Sequence, residues 1–532
     1  MTVLRNPVIR GFAPDPSLIR VGDWYYVATS SFEWFPTIPI HRSRDLAHWE
    51  YAGHVQGAAP GGTLAGVPDS GGIWAPSLSW DGKRFWVVYT VVRSVGTPYF
   101  DQDTYVTTAS DVTGPWAPPR RIASHGFDPA LFHQDGRLWL LNLQNDHRPG
   151  AARFAGVVLT ELDRGTLAPL GVTHLLVQHE RLIEGPKLLF HAGWYHLVLA
   201  EGGTGFEHGV RTARSRSLTG PYALDDRPLL TSRDDPQLPL QKAGHAELVE
   251  TPDGEWFLSH LTARPLDTAN GFRCTLGRET AIQAVIWDAA GKPRLRQGGW
   301  LPAVEVEVPT IPCEVVQQAS TEDVLGWPWS TLREPPDPSW VDLVIRDGWI
   351  RLRGRHGPES RWAQSLLAQR LTEHRATVQV TLQARPSTFT QAAGLILRYD
   401  AEAYLSLDLT WAEPPAEPQR GQQWRGVGRT VLSLVERDEN GARQAAVVDV
   451  DPNAPVTVGV TVTVAGAEAR FWYVCDGVRT PVGPPLDAGR LSDDHGGRLR
   501  FTGTLAGIHV RDLVDASFTA DFRDFRLTCS PV

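Results

Sequence analysis

Asp15-Pro16-Ser17-Leu18, followed by Gly22-Asp23-Trp24-Tyr25-Tyr26, is the stretch that decides the fold, because its pattern returns four more times before residue 260. Each copy has a polar or small residue, usually a proline, an apolar residue, a short turn with glycine, and then an aromatic-rich run. The later copies begin at Ala75, Asp128, Glu184 and His245, and the copy at His245 lacks the proline. The copies are spaced by roughly 53 to 61 residues.

Each copy has the sequence pattern of a β-hairpin. A short apolar strand is followed by a turn that contains Gly, often with Asp, and by a return strand rich in aromatic and β-branched residues. Such short runs, bounded by Gly and Pro, disfavour helical repeats. A unit of about four short strands that occurs five times is typical of a five-bladed β-propeller. We therefore predict an all-β chain that begins with a propeller over residues 1–305.

The propeller geometry brings residues that are distant in the chain to one place. Equivalent positions of successive blades form a ring around the central axis. We call the first residue of each copy its lead residue. In this chain the ring would contain the five lead residues and the tryptophan before Ala75, namely Asp15, Trp74 with Ala75, Asp128, Glu184 and His245. The repeat alone therefore predicts one pocket with three carboxylates, a histidine and a tryptophan.

A pocket of this kind suits the cleavage of glycosidic bonds. One carboxylic acid protonates the leaving oxygen, and a carboxylate activates water or attacks carbon. Asp15 and Glu184 lie on blades that are not adjacent, which favours the separation of about 6.5–9.5 Å that inverting enzymes need. We predict these two residues as the catalytic pair, with Glu184 as the general acid. Asp128 would raise the pKa of the acid and orient it, and Arg278 would balance the negative charge and bind sugar hydroxyls.

Each of these residues also has a purely structural interpretation. Asp-Pro and Glu-Gly-Pro commonly start turns. A lone His245 is more often a satisfied core histidine, Trp74 by itself would be a core residue, and Arg278 by itself would be an ion-pair arginine. The joint occurrence of the acids at equivalent positions of the repeat favours the functional interpretation.

Composition excludes several classes of partner and location. The net charge of −9 is spread along the chain without a basic patch or an acidic run, so neither nucleic acid nor an anionic membrane is expected as a partner. The chain has no apolar run that could cross a bilayer, and residues 1–10 lack the apolar segment of a signal peptide. We therefore expect a cytoplasmic enzyme. The four cysteines are far apart in sequence, which excludes a disulfide scaffold and a zinc site.

The second half of the chain has a different pattern. A length of 532 residues predicts two domains. Residues 306–337 are interpreted as a linker that packs, because Trp327 and Trp329 would not be left in water. Strand-like runs alternate with turns over 338–532, which predicts a jelly-roll-like β-sandwich. We interpret it as an accessory domain that closes the active-site pocket, in preference to a carbohydrate-binding module.

At these motifs the chain resembles glycoside hydrolase family 43, in particular its two-domain β-xylosidases. The resemblance runs in order along nearly the whole chain. The matching stretches are Asn6-Pro7-Val8-Ile9-Arg10-Gly11-Phe12-Ala13-Pro14-Asp15-Pro16-Ser17, Gly72-Ile73-Trp74-Ala75-Pro76, Gly126-Phe127-Asp128-Pro129, Ile183-Glu184-Gly185-Pro186, Glu201-Gly202-Gly203-Thr204-Gly205, Gly244-His245 and Leu276-Gly277-Arg278-Glu279-Thr280.

The resemblance implies a five-bladed propeller, an inverting mechanism, Asp15 as the general base, Glu184 as the general acid, and Asp128 as the residue that tunes and orients the acid. It also implies a set of substrate-binding residues, which are Phe32, Trp74, Phe127, Thr204, Arg278 and His245. In many such relatives the axial histidine, here His245, holds a calcium ion through water, and in others the metal is absent. No cofactor is required. The chain departs from the relatives at Asn145, where they place an aromatic residue near the second sugar subsite.

The resemblance further implies an exo-acting enzyme that releases xylose from the non-reducing ends of β-1,4-xylo-oligosaccharides, with α-L-arabinofuranosidase activity as a side reaction. A loop of the sandwich, for which Phe501–Leu505 is the nearest match, would close the pocket. Homo-oligomers are common among such relatives. Three alternatives stay open: a chain that is mainly an α-L-arabinofuranosidase, a non-catalytic sugar-binding propeller, and a retaining mechanism.

Overall fold

The computed structural model describes residues 2–309, 325–413 and 428–531. The chain divides into two compact units, the first formed by Met1–Arg264 with Arg278–Glu322 and the second by Pro265–Gly277 with Asp323–Val532. The linker predicted at 306–337 includes residues 310–324, which lie outside the described residues. The predicted domain boundaries stay predictions.

The first unit is built from antiparallel sheets that follow the sequence repeat. Within the described residues, four of the sheets have four strands and one has five. The strands of the five sheets are, in chain order, Ser17–Val21, Trp24–Ala28, Pro39–Ser43 and Glu50–His54; Gly72–Trp80, Phe85–Val92, Gln102–Ala109 and Arg120–Ile122; Ala130–Gln134, Arg137–Asn145, Phe154–Leu162 and Pro169–Val177; Ile183–His191, Trp194–Glu201, Gly209–Ser215, Ala223–Leu224 and Leu230–Thr231; Gln241–Glu250, Trp256–Ala263, Glu279–Trp287 and Pro293–Leu295.

The five sheets form a closed ring. The first strand of each sheet contacts the first strand of the next sheet, and the first strand of the fifth sheet contacts that of the first. The first unit is therefore the predicted five-bladed β-propeller. Its N-terminal strand, Thr2–Arg5, pairs with Glu305–Val308. The Asn6 amide donates to the carbonyls of Ile282 and Ala303, which joins the N-terminal segment to the fifth blade.

Each blade buries both of its faces against neighbouring blades, which explains the continuous apolar runs of the middle strands. Successive side chains of a strand point to opposite faces. Val87 accordingly lies in the apolar layer between the first and second blades, and Val88 in the layer between the second and third. Leu140 and Leu141 divide in the same way between the two layers that flank the third blade. The second strand of each of these blades is thereby fixed on both sides, and it pairs in turn with the inner strand of its blade.

The second unit is a β-sandwich of two antiparallel sheets. In the order of strand pairing, the described strands of one sheet are Ser365–Arg370, Leu505–Asp512, Gln391–Asp400, Ala403–Ala412, Arg429–Asp438 and Gly441–Asp449. The described strands of the other sheet are Val341–Asp342, Ile350–Arg353, Thr519–Ser530, Arg375–Ala384, Val456–Val462, Glu468–Cys475 and Val478–Pro481, with Leu486–Asp487 paired to Glu468–Cys475. The two sheets enclose one apolar core, as the sequence pattern predicts.

The remaining described elements are short. The hairpin Leu266–Thr268 with Gly271–Arg273 belongs to the second unit, and so does Thr331–Leu332. Trp34–Phe35 belongs to the first unit. The described 3₁₀ helices are Pro60–Gly62, Ala465–Ala467 and Ala488–Arg490. Among the residues that the structure describes, no helix is both long enough and apolar enough to cross a membrane.

Candidate active site

Three lead residues of the repeat, Asp15, Asp128 and His245, have a backbone conformation that side chains rarely adopt. Asp15, Asp128 and His245 have φ angles of 55°, 52° and 49°, and Gly185, next to Glu184, has a φ of 56°. Left-handed backbone at residues other than glycine is uncommon and concentrates at functional sites. The strand pairing shifts between Glu184 and Lys187, where one extra residue forms a bulge. The turn and the bulge direct the lead side chains away from the strand ladder.

Asp15 is buried and held by three partners. The Ser30 hydroxyl donates to its Oδ2 at 2.6 Å, Arg278 Nη1 donates to its Oδ1 at 3.1 Å, and His245 Nδ1 lies 3.8 Å from the same oxygen. Burial would raise the pKa of Asp15, but Arg278, His245, the Ser30 hydroxyl and His208 together outweigh burial and hold the pKa below its usual value. Asp15 is therefore ionised at neutral pH.

Glu184 and Asp128 have the opposite electrostatics. Both are buried, and Asp128 Oδ2 accepts a hydrogen bond of 3.0 Å from the backbone N–H of Gly185, which ties Asp128 to the segment that carries Glu184. Burial, together with the charges of Asp128 and Asp15, raises the pKa of Glu184 well above its usual value. Burial and the charge of Asp15 raise the pKa of Asp128 to about 7. Glu184 therefore retains its proton under conditions where Asp15 has lost its own.

Aromatic rings line one side of this carboxyl ring. The centroid of Trp74 lies 6.3 Å from that of Phe32 and 5.4 Å from that of Phe127, both in edge-on contact. Phe12 and Phe100 extend the row, at 5.9 Å from Phe32 and 6.1 Å from Phe127. Three predicted binding residues, Phe32, Trp74 and Phe127, thus form one apolar wall, of the kind on which the apolar face of a sugar ring can stack.

His245 packs between the two catalytic candidates. Its imidazole lies so close to Gly185 that a Cβ at that glycine would be 3.0 Å from the ring, and Gly244 makes room for His208 in the same way. Burial, together with Lys187 and Arg278, lowers the pKa of His245 to about 4, although Asp15 opposes the shift. His245 is therefore neutral at pH 7 and adds no positive charge beside Asp15.

The axis does not fit a directly bound metal ion. Among the described residues, the group of three side chains whose ligand atoms approach closely enough to share an ion is Cys274, Asp493 and Asp494, in the second unit. His245 and the axial carboxylates form no such group. The ammonium of Lys187, which is buried on the inner strand of the fourth blade, also places a positive charge close to them. We therefore derive no catalytic step through calcium.

The contacts of this ring include neither Thr204 nor Asn145, which the resemblance singles out. Thr204 is half-buried in the loop 202–208 between two strands of the fourth blade, and the contacts described above do not include it. Asn145 ends the second strand of the third blade, where its backbone N–H donates to the His125 carbonyl at 2.9 Å. Within the described part of the chain, the buried amide atoms of Asn145 make no hydrogen bond. Asn145 therefore has a donor and an acceptor available at this position.

Sequence reasoning missed Ser30, His208 and Lys187. Ser30 lies outside the repeat, and no sequence signal connects it to Asp15. His208 could be suspected from the glycine at position 244, which is required because a Cβ there would lie 1.8 Å from the His208 ring. Lys187 carries a clear signal, because a lysine lies in an otherwise apolar stretch at a repeat position occupied by Ser17 in the first blade.

An ionised carboxylate, a protonated carboxylic acid and an aromatic wall around one propeller axis define a glycoside hydrolase site. Comparison of the chain with known protein families agrees with this conclusion. "Glycosyl hydrolases family 43" matches residues 4–293, and "Beta xylosidase C-terminal Concanavalin A-like domain" matches residues 321–528. The chain therefore belongs to glycoside hydrolase family 43, as its motifs predict.

Individual relatives are similar over their whole length. The chain is 37% identical to "Xylosidase/arabinosidase 43B" of Humicola insolens, over 99% of this chain and 97% of that protein. It is 36% identical to "Xylan 1,3-beta-xylosidase" of a Vibrio species, over 98% of this chain and 99% of that protein. The solved structure of xylan beta-1,4-xylosidase from Bacillus halodurans superposes with a TM-score of 0.91 at 38% identity and covers 99% of this chain and 100% of that one.

Proposed function

We propose that this glycoside hydrolase is an inverting β-xylosidase that releases xylose from the non-reducing ends of β-1,4-xylo-oligosaccharides. The observation that carries the proposal is the opposite state of two buried carboxyl groups on one propeller ring. Asp15 is held ionised by Arg278 and Ser30, and Glu184 is held protonated by burial and by Asp128. The relatives named as xylosidases, which match along the full length of the chain, support the choice of xylose.

In the proposed reaction Glu184 donates its proton to the glycosidic oxygen as that bond breaks. Asp15 accepts a proton from a water molecule, and the water oxygen attacks the anomeric carbon from the opposite face. The β-linkage is thereby converted to α-xylose. Asp128 orients Glu184 through the Gly185 N–H and maintains its raised pKa. Arg278 balances the charge of Asp15 and lies 5.9 Å from the Phe32 ring centroid, on the side of the aromatic wall.

α-L-Arabinofuranosidase activity is the second candidate. It is favoured by the relative named as a xylosidase/arabinosidase, and by the 32% identity to a "Non-reducing end alpha-L-arabinofuranosidase" of Bacteroides ovatus over 76% of this chain. The two sugars present similar hydroxyl groups, so one pocket can accept both. For the second sugar of a xylo-oligosaccharide we propose hydrogen bonds to Asn145 in place of ring stacking.

The decisive experiment is a substrate panel followed by NMR of the first product. The panel contains β-1,4-xylobiose, β-1,3-xylobiose, xylotetraose and aryl glycosides of β-xylose and α-L-arabinofuranose. We expect the highest kcat/KM among the disaccharides on β-1,4-xylobiose, with α-xylose formed first. Absence of hydrolysis of every xyloside would refute the proposal. β-Xylose as the first product would show retention and refute the assignment of Asp15 as a base.

The pH dependence of kcat/KM tests the roles of the two acids. Activity needs Asp15 ionised and Glu184 protonated, so the lowered pKa of Asp15 sets the acidic limb and the raised pKa of Glu184 sets the alkaline limb. After burial, the charge of Asp128 is the largest cause of that raised pKa. We therefore expect Asp128→Asn to move the alkaline limb to lower pH. The measurement is the kcat/KM profile of both proteins on xylobiose, and a limb that stays in place or moves upward contradicts the role of Asp128.

We propose a cytoplasmic location, with imported xylo-oligosaccharides as the substrate. Among the described residues, Cys274, Cys475 and Cys529 form no disulfide with one another, in keeping with a reducing compartment. The loop Phe501–Leu505 belongs to the second unit, where the backbone of Thr504 bonds Thr275. Its role in closing the pocket and the formation of a homo-oligomer stay predictions.

A further inference from the structure

A second layer of residues lies next to the catalytic layer on the propeller axis. It is formed by the inner-strand residues that follow each lead residue by two positions, or by three in the fourth blade, where Gly185 is an extra residue. These residues are Ser17, Ser77, Ala130, Lys187 and Glu247. The hydroxyl and carboxylate groups of this layer surround one ammonium, that of Lys187, whose side chain is 7% exposed.

The Lys187 ammonium connects four of the five inner strands. Its Nζ donates to Ser77 Oγ at 2.8 Å and to Ser17 Oγ at 3.1 Å, and it lies 3.3 Å from Glu247 Oε2. The same Glu247 oxygen accepts from the Ser17 hydroxyl at 2.7 Å and from the backbone N–H of Leu18 at 3.0 Å. Lys187 therefore joins its own fourth blade to the first, second and fifth blades.

The choice of lysine at this position is unusual for the chain. Only four of its 51 basic residues are lysines, and the others are arginines. Lys83 is exposed, Lys242 is buried against the ring of Phe206, and Lys292 pairs with the buried Asp225. An ammonium is compact and directs three donors in three directions, whereas a guanidinium is a flat fork that suits one carboxylate. The three partners of Lys187 come from three different blades, and only an ammonium matches them.

The position of Lys187 also relates it to the catalytic carboxyl groups. It follows Glu184 on the same inner strand, and its positive charge lowers the pKa of both Asp128 and His245, against burial in the case of Asp128. Two of its three direct partners are uncharged hydroxyls, and Glu247 is the charged one. A further cation at this axis would be repelled by the ammonium.

We propose that Lys187 is the resident cation of the propeller axis, a positioning residue that makes a metal ion unnecessary there. It holds the inner strands of four blades at fixed spacing and supplies positive charge beneath the carboxyl ring. This inference rests on the proposed function, because it concerns the same ring. Lys187 thus supplies, from the chain itself, the positive charge that a bound divalent cation supplies in other proteins.

The test compares Lys187→Met with the wild-type protein on β-1,4-xylobiose. Methionine is unbranched like lysine, is one atom shorter, and removes the charge. We expect kcat to fall about 10- to 100-fold, with a smaller change in KM, since a unit charge at this depth is worth that factor at an effective dielectric constant of about 20. Lys83→Met, at an exposed position, is the control and should match the wild type. We expect the wild type to be insensitive to EDTA and to added calcium.

A double variant separates the catalytic effect from a structural one. Lys187→Met leaves Glu247 partly buried without its cation, so thermal stability should fall. Lys187→Met with Glu247→Gln removes both charges and should restore the melting temperature while kcat stays low. A double variant with wild-type kcat would overturn the proposal, because Lys187 would then only neutralise Glu247. Unchanged kcat in Lys187→Met, or wild-type activity lost in EDTA and regained with calcium, would also overturn it.

The failure of this inference is distinguishable from the failure of the proposed function. A wild-type protein that hydrolyses no xyloside refutes the function. A wild-type protein that turns over xylobiose at the rate of Lys187→Met refutes only the role of Lys187.

Discussion

Glu184→Gln should lose about 10³-fold in kcat/KM on β-1,4-xylobiose, because the leaving sugar hydroxyl is a poor leaving group without a proton donor. The substitution keeps the size of the side chain and removes the acidic proton. On 2,4-dinitrophenyl β-xyloside, whose phenolate leaves without protonation, the loss should stay below about 10-fold. Steady-state kinetics on the two substrates measures the difference directly.

The matched control for this substitution is Glu161→Gln. Glu161 pairs with Arg137 at the surface of the third blade. It lies on the third strand of that blade, and the inner strand is the first. It should leave both substrates unaffected. Equal losses of Glu184→Gln on xylobiose and on the dinitrophenyl substrate would mean that Glu184 does not protonate the leaving group, and the assignment of the acid would have to move to Asp128.

The propeller and the ring of acids were predictable because both follow from one repeat. The residue pattern repeats at similar spacing, and a closed ring brings equivalent positions together whatever their separation in sequence. In the structure, contacts and shared electrostatics link Asp15, Asp128, Glu184 and His245, which occupy equivalent positions of the repeat. The assignment of base and acid among these carboxyl groups came from the family resemblance and the chemistry together.

Residues outside the repeat were harder to find, for a physical reason. Phe12 and Phe100 join the aromatic wall from loops whose course depends on packing between blades, and such packing leaves no periodic trace in the sequence. Ser30 reaches Asp15 from the turn after the second strand. The opposite holds for Thr204. The resemblance includes it among the substrate-binding residues, but it lies in the loop 202–208 and is not part of the contacts described for the ring.

The second layer at the axis was predictable in principle. When the copies of the repeat are aligned on their lead residues, the next inward-facing position holds Ser17, Ser77, Lys187 and Glu247. A position that holds two hydroxyls, a cation and an anion inside apolar strands indicates a buried polar network, since a lone buried charge would be too costly. The lead residues are recognisable because carboxyl groups suit catalysis, whereas the residues that follow them have the sequence pattern of a strand.

Asp15→Asn should abolish hydrolysis of both xylobiose and 2,4-dinitrophenyl β-xyloside, with a loss of about 10⁴-fold on each, because water needs a base whatever the leaving group is. The amide retains an acceptor for the Ser30 hydroxyl, so the fold should persist, although Arg278 loses its anionic partner. A thermal melt of the variant checks that the protein is folded. The control Ser30→Ala removes one hydrogen bond to Asp15 and should cost far less activity.

The azide ion separates a lost base from a lost binding residue. Azide attacks carbon without giving up a proton, so Asp15→Ala, which opens space beside Arg278, should regain turnover of the dinitrophenyl substrate when azide is added. The attack comes from the face opposite the leaving group, so the product should be α-xylosyl azide, which NMR identifies. Absence of rescue in a folded variant that still binds xylose would show that Asp15 does more than accept a proton. A β-xylosyl azide would place the nucleophile on the wrong face and contradict inversion, because Asp15 and Glu184 would then act from the same side of the sugar.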